Sequence, residues 1–426
     1  MAIWIIADDF TGANDSVVRF AATGAKALTI VSPRFIKEGL NSYQAIAVNT
    51  NSRGMSWDDA YQENYKVIQN LPLQSGDLVY KKIDSALRGN IGVELDGLLD
   101  YVGGGTIALV APAFPENGRI TTGGYQFLNG ILVQESEMAR DPVTPVKESH
   151  LPTLLTNTSR YKVGYLPLKI VCGGCQEVEA KLNKLCVEGC RIVVADATTN
   201  EHLKTLAESC LCSTVKIVPC GTAGLAGALA ERIFSPSQGR AVIPPKGKVV
   251  GIIGSRSRIA KLQIQQAIKN LPWLTDVQVQ RVALASSKQR REEISAVGER
   301  VKQALSAGKE GVIVRLDDNP AVEPGLISAT ALADGLGAIA RFVVSITNIK
   351  KLYVSGGDTA AAAMDALDSY GLEIKNELES GICLGNLWGG KYAGLMFVTK
   401  AGSFGDEKTL VRTLSWINHD SLIIGN

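Results

Sequence analysis

The chain has 426 residues, 46% of them hydrophobic, with 44 Lys and Arg against 42 Asp and Glu. That length exceeds one ordinary core and predicts two domains. A formal net charge of +2 with no basic run gives no grounds for a nucleic-acid or membrane partner, and no stretch approaches the ~20 apolar residues of a spanning helix.

Residues 2–24, AIWIIADDFTGANDSVVRFAATG, set the grammar of the whole chain. Ile3 to Ala7 is a short apolar run without alternation, as expected of a strand buried on both faces. Asp8, Asp9, Thr11 and Gly12 follow. Ala13, Val17, Phe20 and Ala21 then fall on one helical face. Thr11 is the expected N-cap, and Gly24 the left-handed residue that ends the helix. Ligands of open α/β sheets bind beyond the carboxyl ends of strands. One Asp would serve to cap a helix, so two Asp, a Thr and a Gly in five residues read as a polar ligand site.

The pattern recurs in order. Residues 44–48 are a strand ending in Asn49-Thr50-Asn51-Ser52-Arg53, and residues 78–82 a strand leading into Ile83-Asp84-Ser85-Ala86-Leu87-Arg88-Gly89-Asn90. Asn90 is placed to cap a helix carrying Ile91, Leu95, Leu98, Leu99 and Val102 on one face. Residues 106–111 are a strand that ends in the loop 112–119, and Asn129-Gly130 is the primed turn of a hairpin. Strands at 191–195 and 215–219 follow, the second before a small-residue helix from about Thr222 to Ile233. Residues 236–247 are rich in Pro, Gly and Ser and mark a linker between domains 1–235 and 248–426. The second half repeats the grammar with strands at 248–253, 311–316, 351–355 and 394–399. The fold class is therefore α/β, with two domains, each a mainly parallel sheet flanked by helices.

Cys172, Cys175, Cys186 and Cys190 open with a CxxC spacing that suits zinc. A helix between them would hold Cys175 and Cys186 about 16 Å apart, too far to share a metal, and buried thiols are the reading adopted. The N-terminus lacks a basic n-region and a long apolar h-region, so a cytoplasmic chain with reduced cysteines is expected. The three histidines, His150, His202 and His419, are scattered and receive no role.

In the first half, strand ends collect Asp8, Asp9, Arg53, Lys82, Asp84, Ser85, Arg88 and Arg119. Arg and Lys hold carboxylates and Asp accepts from hydroxyls, a set suited to a small polyhydroxy acid. Internal ion pairs explain any one of these residues; the convergence of several loops favours a ligand. In the second half, Gly254-Ser255, Gly356-Gly357-Asp358-Thr359 and Gly402-Ser403-Phe404-Gly405 stand at helix starts, where bare N–H groups bind phosphate. No GxxxxGK[ST] and no early GxGxxG is present, which argues against a Walker loop and a Rossmann dehydrogenase. Asp358 either holds Mg²⁺ or caps the helix, and the cap is preferred on sequence grounds.

ADDFTGAND (7–15), NTNSR (49–53), KKIDSALRGN (81–90) and PAFPENGR (112–119), followed by GSRSRIAKLQI (254–264), SGGDTA (355–360) and KAGSFG (400–405), resemble the four-carbon acid sugar kinases over nearly the whole chain. Asn49, Ala86 and Ser403 depart from the pattern, standing where Asp, Thr and Gly are common. The resemblance implies an ATP-dependent kinase acting on the terminal hydroxyl of a four-carbon sugar acid, with the active site in the interdomain cleft. D-Threonate is the first expectation, ahead of D-erythronate and 3-oxo-tetronate. Asp9, Arg53, Lys82, Ile83, Asp84, Ser85 and Arg88 would contact the acid. Asp9, Asp84 and Arg88 would serve catalysis, with Asp9 preferred over Asp84 as base. Ser255, Gly356, Gly357, Asp358, Thr359, Gly402 and Gly405 would contact ATP, with Mg²⁺ beside it. A homodimer is the default assembly. A non-catalytic two-lobed binding protein for a small acid is the alternative of a different class.

Overall fold

The computed structural model describes residues 1–36, 39–141, 143–234, 243–318, 327–402 and 404–418. The chain forms two compact units, Met1–Gly239 and Arg240–Asn426. The expected linker at 236–247 falls in part on residues 236–242, which lie outside the described residues, as do Ser403 and His419.

The strands of the first unit are β1 (Ile3–Ala7), β2 (Ala27–Ile30), β3 (Ala45–Asn49), β4 (Leu78–Lys82), β5 (Thr106–Ala111), β6 (Arg119–Thr122), β7 (Tyr125–Leu128), β8 (Ile131–Leu132), β9 (Val163–Leu166), β10 (Ile192–Ala195) and β11 (Lys216–Gly221). The main sheet runs β2-β3-β1-β4-β11-β5-β10-β9 with every neighbour parallel. Parallel strands are covered on both faces, and β1, β3, β5 and β10 are accordingly buried along their whole lengths. The register aligns Ala7 with Asn49 and Lys82, Lys82 with Gly221, and Gly221 with Ala111. The residues that follow these five therefore emerge along one edge, the edge at which such sheets bind ligands.

Helices cover the sheet. Ala13, Val17 and Phe20 of the helix Phe10–Ala22 are fully buried, as their spacing requires. Leu95, Leu98 and Leu99 of the helix Ile91–Val102 are equally buried, and Leu95 and Leu99 join a core with Ala108, Val110, Ile192 and Val194. Beside the main sheet, β6, β7 and β8 form an antiparallel ribbon. Its β7–β8 turn places Asn129 at φ 51° and Gly130 at φ 82°, the two positive values that a primed turn requires. Arg119, read as the end of the loop 112–119, opens strand β6, and its partner β7 supplies a pairing that the sequence reading did not include.

In the second unit the strands are β12 (Val249–Ile253), β13 (Leu274–Val279), β14 (Gly311–Leu316), β15 (Lys351–Ser355), β16 (Gly371–Glu379), β17 (Ile382–Trp388) and β18 (Met396–Lys400). Its order is β13-β14-β12-β15-β18-β17-β16, parallel from β13 to β18 and antiparallel from β18 to β16. The β16–β17 hairpin corrects the expectation of strand–loop–helix throughout. Ile253, Ser355 and Lys400 lie in register, so the three glycine loops leave from adjacent strand ends. The helix Ala329–Ile346 is long and apolar enough to cross a membrane by composition, yet half of it is buried inside the unit. Leu336, Ile339, Ala340 and Val343 are the buried stripe that makes it a core helix.

Candidate active site

Asp8 and Asp9 leave the end of β1 with different tasks. Asp9, not Thr11, is the N-cap of the helix Phe10–Ala22, its Oδ1 accepting from the Gly12 N–H at 3.0 Å. An N-cap residue must be extended, and Asp9 is, at φ −145° and ψ 160°. Gly24, at φ 92°, follows the helix end as expected. Arg53, from the loop after β3, reaches Asp8 with Nε at 2.8 Å and Nη2 at 3.1 Å, and Asp9 with Nη2 at 2.8 Å. Burial works against the Asp8 charge, but Arg53 outweighs it and holds the carboxyl below its usual range.

The loop after β4 folds around Asp84. Its carboxylate accepts from the Ala86 N–H at 3.1 Å, from Arg88 Nε at 3.0 Å and from Arg88 Nη2 at 2.9 Å, with Arg53 Nη2 at 3.6 Å. Burial again opposes the charge, and Arg88 and Arg53 again prevail, holding Asp84 well below the ordinary carboxylate range. The turn places Leu87 at φ 63°, a strained value for a bulky residue, and Leu87 is buried there. Gly89, at φ 96°, has no side chain to press on Asp8: a Cβ there would lie 3.1 Å from Asp8 Oδ2. Asn90 does not cap its helix with its side chain. Its Nδ2 donates instead to Ser52 O and Met55 O, both at 3.0 Å, which ties the Arg53 loop to the Asp84 loop.

Successive strand residues point to opposite faces, and this separates the two lysines of β4. Lys81 is fully buried and pairs with Glu94 at 2.8 Å, while Glu94 also accepts from Ser52 Oγ at 2.6 Å. Lys81 is structural. Lys82 donates to Ile83 O at 2.8 Å and has no carboxylate within ion-pair reach among the described residues. Arg119 likewise has no carboxylate in reach among them and donates to Asn117 O. Burial weighs against the Arg119 charge and lowers its pKa, the Asp84 and Asp15 charges only partly opposing it. Arg53, through Nε and Nη2, and Arg88, the two arginines expected to meet the substrate, are thus paired with carboxylates of the cluster itself. Lys82 and Arg119 are the cations still able to receive an anion.

Other expected contacts also change. The Ile83 side chain belongs to the core, and only its backbone faces the loop, its N–H donating to Gly221 O at 2.9 Å. Ser85 O accepts from Gln126 Nε2 at 2.9 Å. Gln126 was not singled out, and neither was Asp141, which takes Arg88 Nη1 at 3.2 Å. Both reach the site from the ribbon and the segment after it, too far along the chain for any local pattern to connect them. Asn49 stands where Asp is common because it needs a donor: its Nδ2 gives to Val31 O at 3.3 Å, while Oδ1 accepts from the Asn51 N–H. Ala86 sits in the core, 4% exposed. A cavity of about 500 Å³ on the helix layer includes Arg19 and Phe114 among its lining but none of Asp8, Asp9, Arg53, Asp84 or Arg88.

The zinc question has a spatial side as well. The helix Cys175–Val187 does separate Cys175 from Cys186, but His202 Nε2 stands 3.4 Å from Cys172 Sγ, a neighbour that chain distance conceals.

In the second unit, Gly254, Gly356 and Gly402 meet. A Cβ on Gly254 would lie 1.9 Å from Thr359 Oγ1, and one on Gly402 would lie 2.5 Å from Ser255 Oγ and 4.0 Å from Gly356 Cα. Ser255 Oγ and Ser257 Oγ both donate to Gly402 O, at 3.2 and 3.0 Å. Gly356, at φ 113°, is the N-cap of the helix Gly357–Ala366, and no side chain caps that end. Asp358 therefore does not cap the helix; it lies exposed in the first turn. Gly405 differs from the others: at φ 84°, with Thr409 Oγ1 2.4 Å from where its Cβ would be, turn geometry alone accounts for it. Lys400 was not singled out as a site residue. It is buried, and its Nζ donates to Ala401 O, Gly402 O and Phe404 O at 2.8, 3.2 and 3.0 Å. Burial pulls its ammonium down to about 8.

Comparison with known proteins divides the chain in the same way. Residues 3–229 match the family described as the sugar-binding N-terminal domain, and residues 250–410 the nucleotide-binding C-terminal domain. A D-erythronate kinase from Heliobacterium modesticaldum is 33% identical over 95% of this chain and 94% of its own. A D-threonate kinase from Bordetella bronchiseptica is 31% identical over 96% of each chain. The crystal structure of a Haemophilus influenzae protein shares the fold, with a TM-score of 0.75 at 24% identity over 97% of this chain and 100% of that one.

Proposed function

Since the chain belongs to the four-carbon acid sugar kinase family, and is a phosphotransferase that uses ATP and acts on a hydroxyl group of a sugar acid, we propose that the acceptor is the terminal 4-hydroxyl of D-erythronate. The relative with that activity in its name is 33% identical, which moves D-erythronate ahead of D-threonate. D-Threonate is the second reading, favoured by a relative at 31%. The two acids differ only in configuration at C2, beside the carboxylate, and share the carbon that receives phosphate.

The observation that carries the proposal is the pair of unspent cations in the acid cluster, Lys82 and Arg119. They would receive the substrate carboxylate, Arg119 in two-pronged fashion. Arg53 and Arg88 brace Asp8, Asp9 and Asp84 so that these carboxylates face the substrate hydroxyls as fixed acceptors. Ser85 and the Ile83 backbone complete the wall. In the second unit, the open N-terminus at Gly356-Gly357-Asp358-Thr359 would take phosphate oxygens, and Ser255 and Gly402 would shape the loop beside it. Asp358 has no hydrogen-bond or ion-pair partner among the described residues and would hold Mg²⁺, which neutralises phosphate charge when bound. Phosphoryl transfer needs little covalent help from the protein, so positioning and charge do most of the work. A homodimer and a cytoplasmic setting complete the reading.

The test is ADP release in a coupled assay with MgATP against D- and L-erythronate, D- and L-threonate and the 3-oxo acids. The highest kcat/KM is expected with D-erythronate. A higher value for D-threonate would exchange the two readings. Silence across the panel with ATP bound would place the acceptor outside the four-carbon acids.

A further inference from the structure

Selectivity between acids that differ only at C2 needs two holds at a fixed separation, one on the carboxylate and one on the hydroxyls beyond it. On the kinase reading above, Arg119 of β6 is the first hold and the loop after β4 is the second. They come from different sheets: β6 belongs to the antiparallel ribbon and β4 to the main sheet. Gln126 of β7 is a side chain that joins the two.

Gln126 is fully buried, and both ends of its amide are engaged. Its Nε2 donates to Ser85 O at 2.9 Å, in the loop after β4, and to Pro112 O at 3.3 Å, just past β5. Its Oε1 accepts from Thr121 Oγ1 at 2.6 Å. Its backbone N–H donates to Ser149 O at 2.9 Å. The position calls for a primary amide: two carbonyls take its two N–H donors, and a hydroxyl gives to its oxygen. The register completes the link. Thr121 stands opposite Gln126 across the β6–β7 ladder, and Arg119 lies two residues before Thr121. Residues so spaced share a face of a strand, so Arg119 emerges on the face that Gln126 ties to the loops. Phe114 pins the Arg119 backbone, the two residues exchanging N–H···O bonds at 2.8 and 3.0 Å. Leu128, opposite Arg119, belongs to the same core as Ile83 and Ala86 of the Asp84 loop.

Building on that kinase reading, we propose that Gln126 is a positioning residue that sets the selectivity of the enzyme at C2 of the acid. It acts through Ser85 and β6 rather than by touching the acid. It fixes how far the carboxylate clamp on the ribbon stands from the hydroxyl acceptors on the sheet loops. C2 lies beside the carboxylate, between the two holds, so a shift of either changes which epimer fits.

Gln126→Glu keeps the outline and sets an acceptor against the two carbonyls. Gln126→Met keeps the length and removes the side-chain hydrogen bonds. Each is compared with wild type on the full chain, by initial rates with MgATP against D-erythronate and D-threonate. Expected for both variants are a loss of kcat/KM of roughly 10²-fold on the preferred acid, a smaller loss on its epimer, and KM for ATP unchanged. The ratio between the epimers therefore narrows. A merely structural role predicts equal losses on both acids and an unchanged ratio, and that result would overturn the proposal. So would wild-type selectivity in either folded variant, a rise of KM for ATP in step with that for the acid, equal kcat/KM for the two epimers in the wild type, or failure of both variants to fold. Turnover in the wild type separates two failures. With turnover there and the ratio unchanged in the variants, only the role of Gln126 falls. With none on either acid, the kinase reading falls and the assignment with it.

Discussion

Lys81 and Lys82 adjoin in sequence and differ in everything that matters. Lys81 faces the interior, where Glu94 neutralises it and Ser52 and Thr50 extend the network to the Arg53 loop. Removing one partner of such a pair leaves an uncompensated buried charge. Lys81→Met is therefore expected to cost about 3–5 kcal/mol of stability, measured by denaturant unfolding. Lys82 faces the acid cluster and pairs with no carboxylate among the described residues. Lys82→Met is expected to leave the unfolding midpoint nearly unchanged and to raise KM for the acid at least tenfold, read from initial rates. Equal effects of the two substitutions on both readouts would contradict the division. Residue identity alone could not make this distinction; the two-residue period of the strand makes it.

At the scale of elements, the glycine loops owe their shape to a lysine. Lys400 spends its ammonium on three carbonyls of the loop that follows it, and Gly402 O also accepts from Ser255 and Ser257. Lys400→Met is expected to loosen the loop and raise KM for ATP at least tenfold while KM for the acid stays put. Its stability carries a pH signature too. The folded value of about 8 lies below the ordinary 10.5, so the unfolded chain binds more protons between these pH values. Stability should rise with pH across that window in wild type, and the rise should be lost in Lys400→Met, followed by thermal melting.

The same elements show what the sequence could reveal. Buried parallel strands such as β4, β5, β14 and β15 were legible to the residue, because a short, largely apolar run bounded by polar loops has few other homes. The motif glycines and acids at their ends were legible as ligand loops. Three features were not. Thr11 and Asn90 fit capping rules, but Asp9 reaches the first turn before Thr11 can, and Asn90 gives its amide to the Ser52–Met55 loop. Arg53 and Arg88 carry ion pairs to Asp8, Asp84 and Asp141 that nothing local in the sequence signals. Gln126, Asp141 and Lys400 act through backbone or side-chain partners fixed by the fold.

For the molecule as a whole, two units divide the reactants by chemistry. On the proposed reading, the first would offer fixed carboxylates and the cations Lys82 and Arg119 to the sugar acid. The second, which matches a nucleotide-binding domain, would offer an uncapped helix end and close-packed glycines to phosphate. A two-lobed binding protein for a small acid has no use for the second set. Phosphorus NMR of the reaction with MgATP and D-erythronate separates the classes and locates the bond formed. The account predicts a new monoester resonance split into a triplet by the two protons on C4, appearing in step with ADP and only when the acid is present. A doublet would move the phosphate to a secondary hydroxyl. Free inorganic phosphate as the sole new signal, or no change with both ligands bound, would contradict the kinase account.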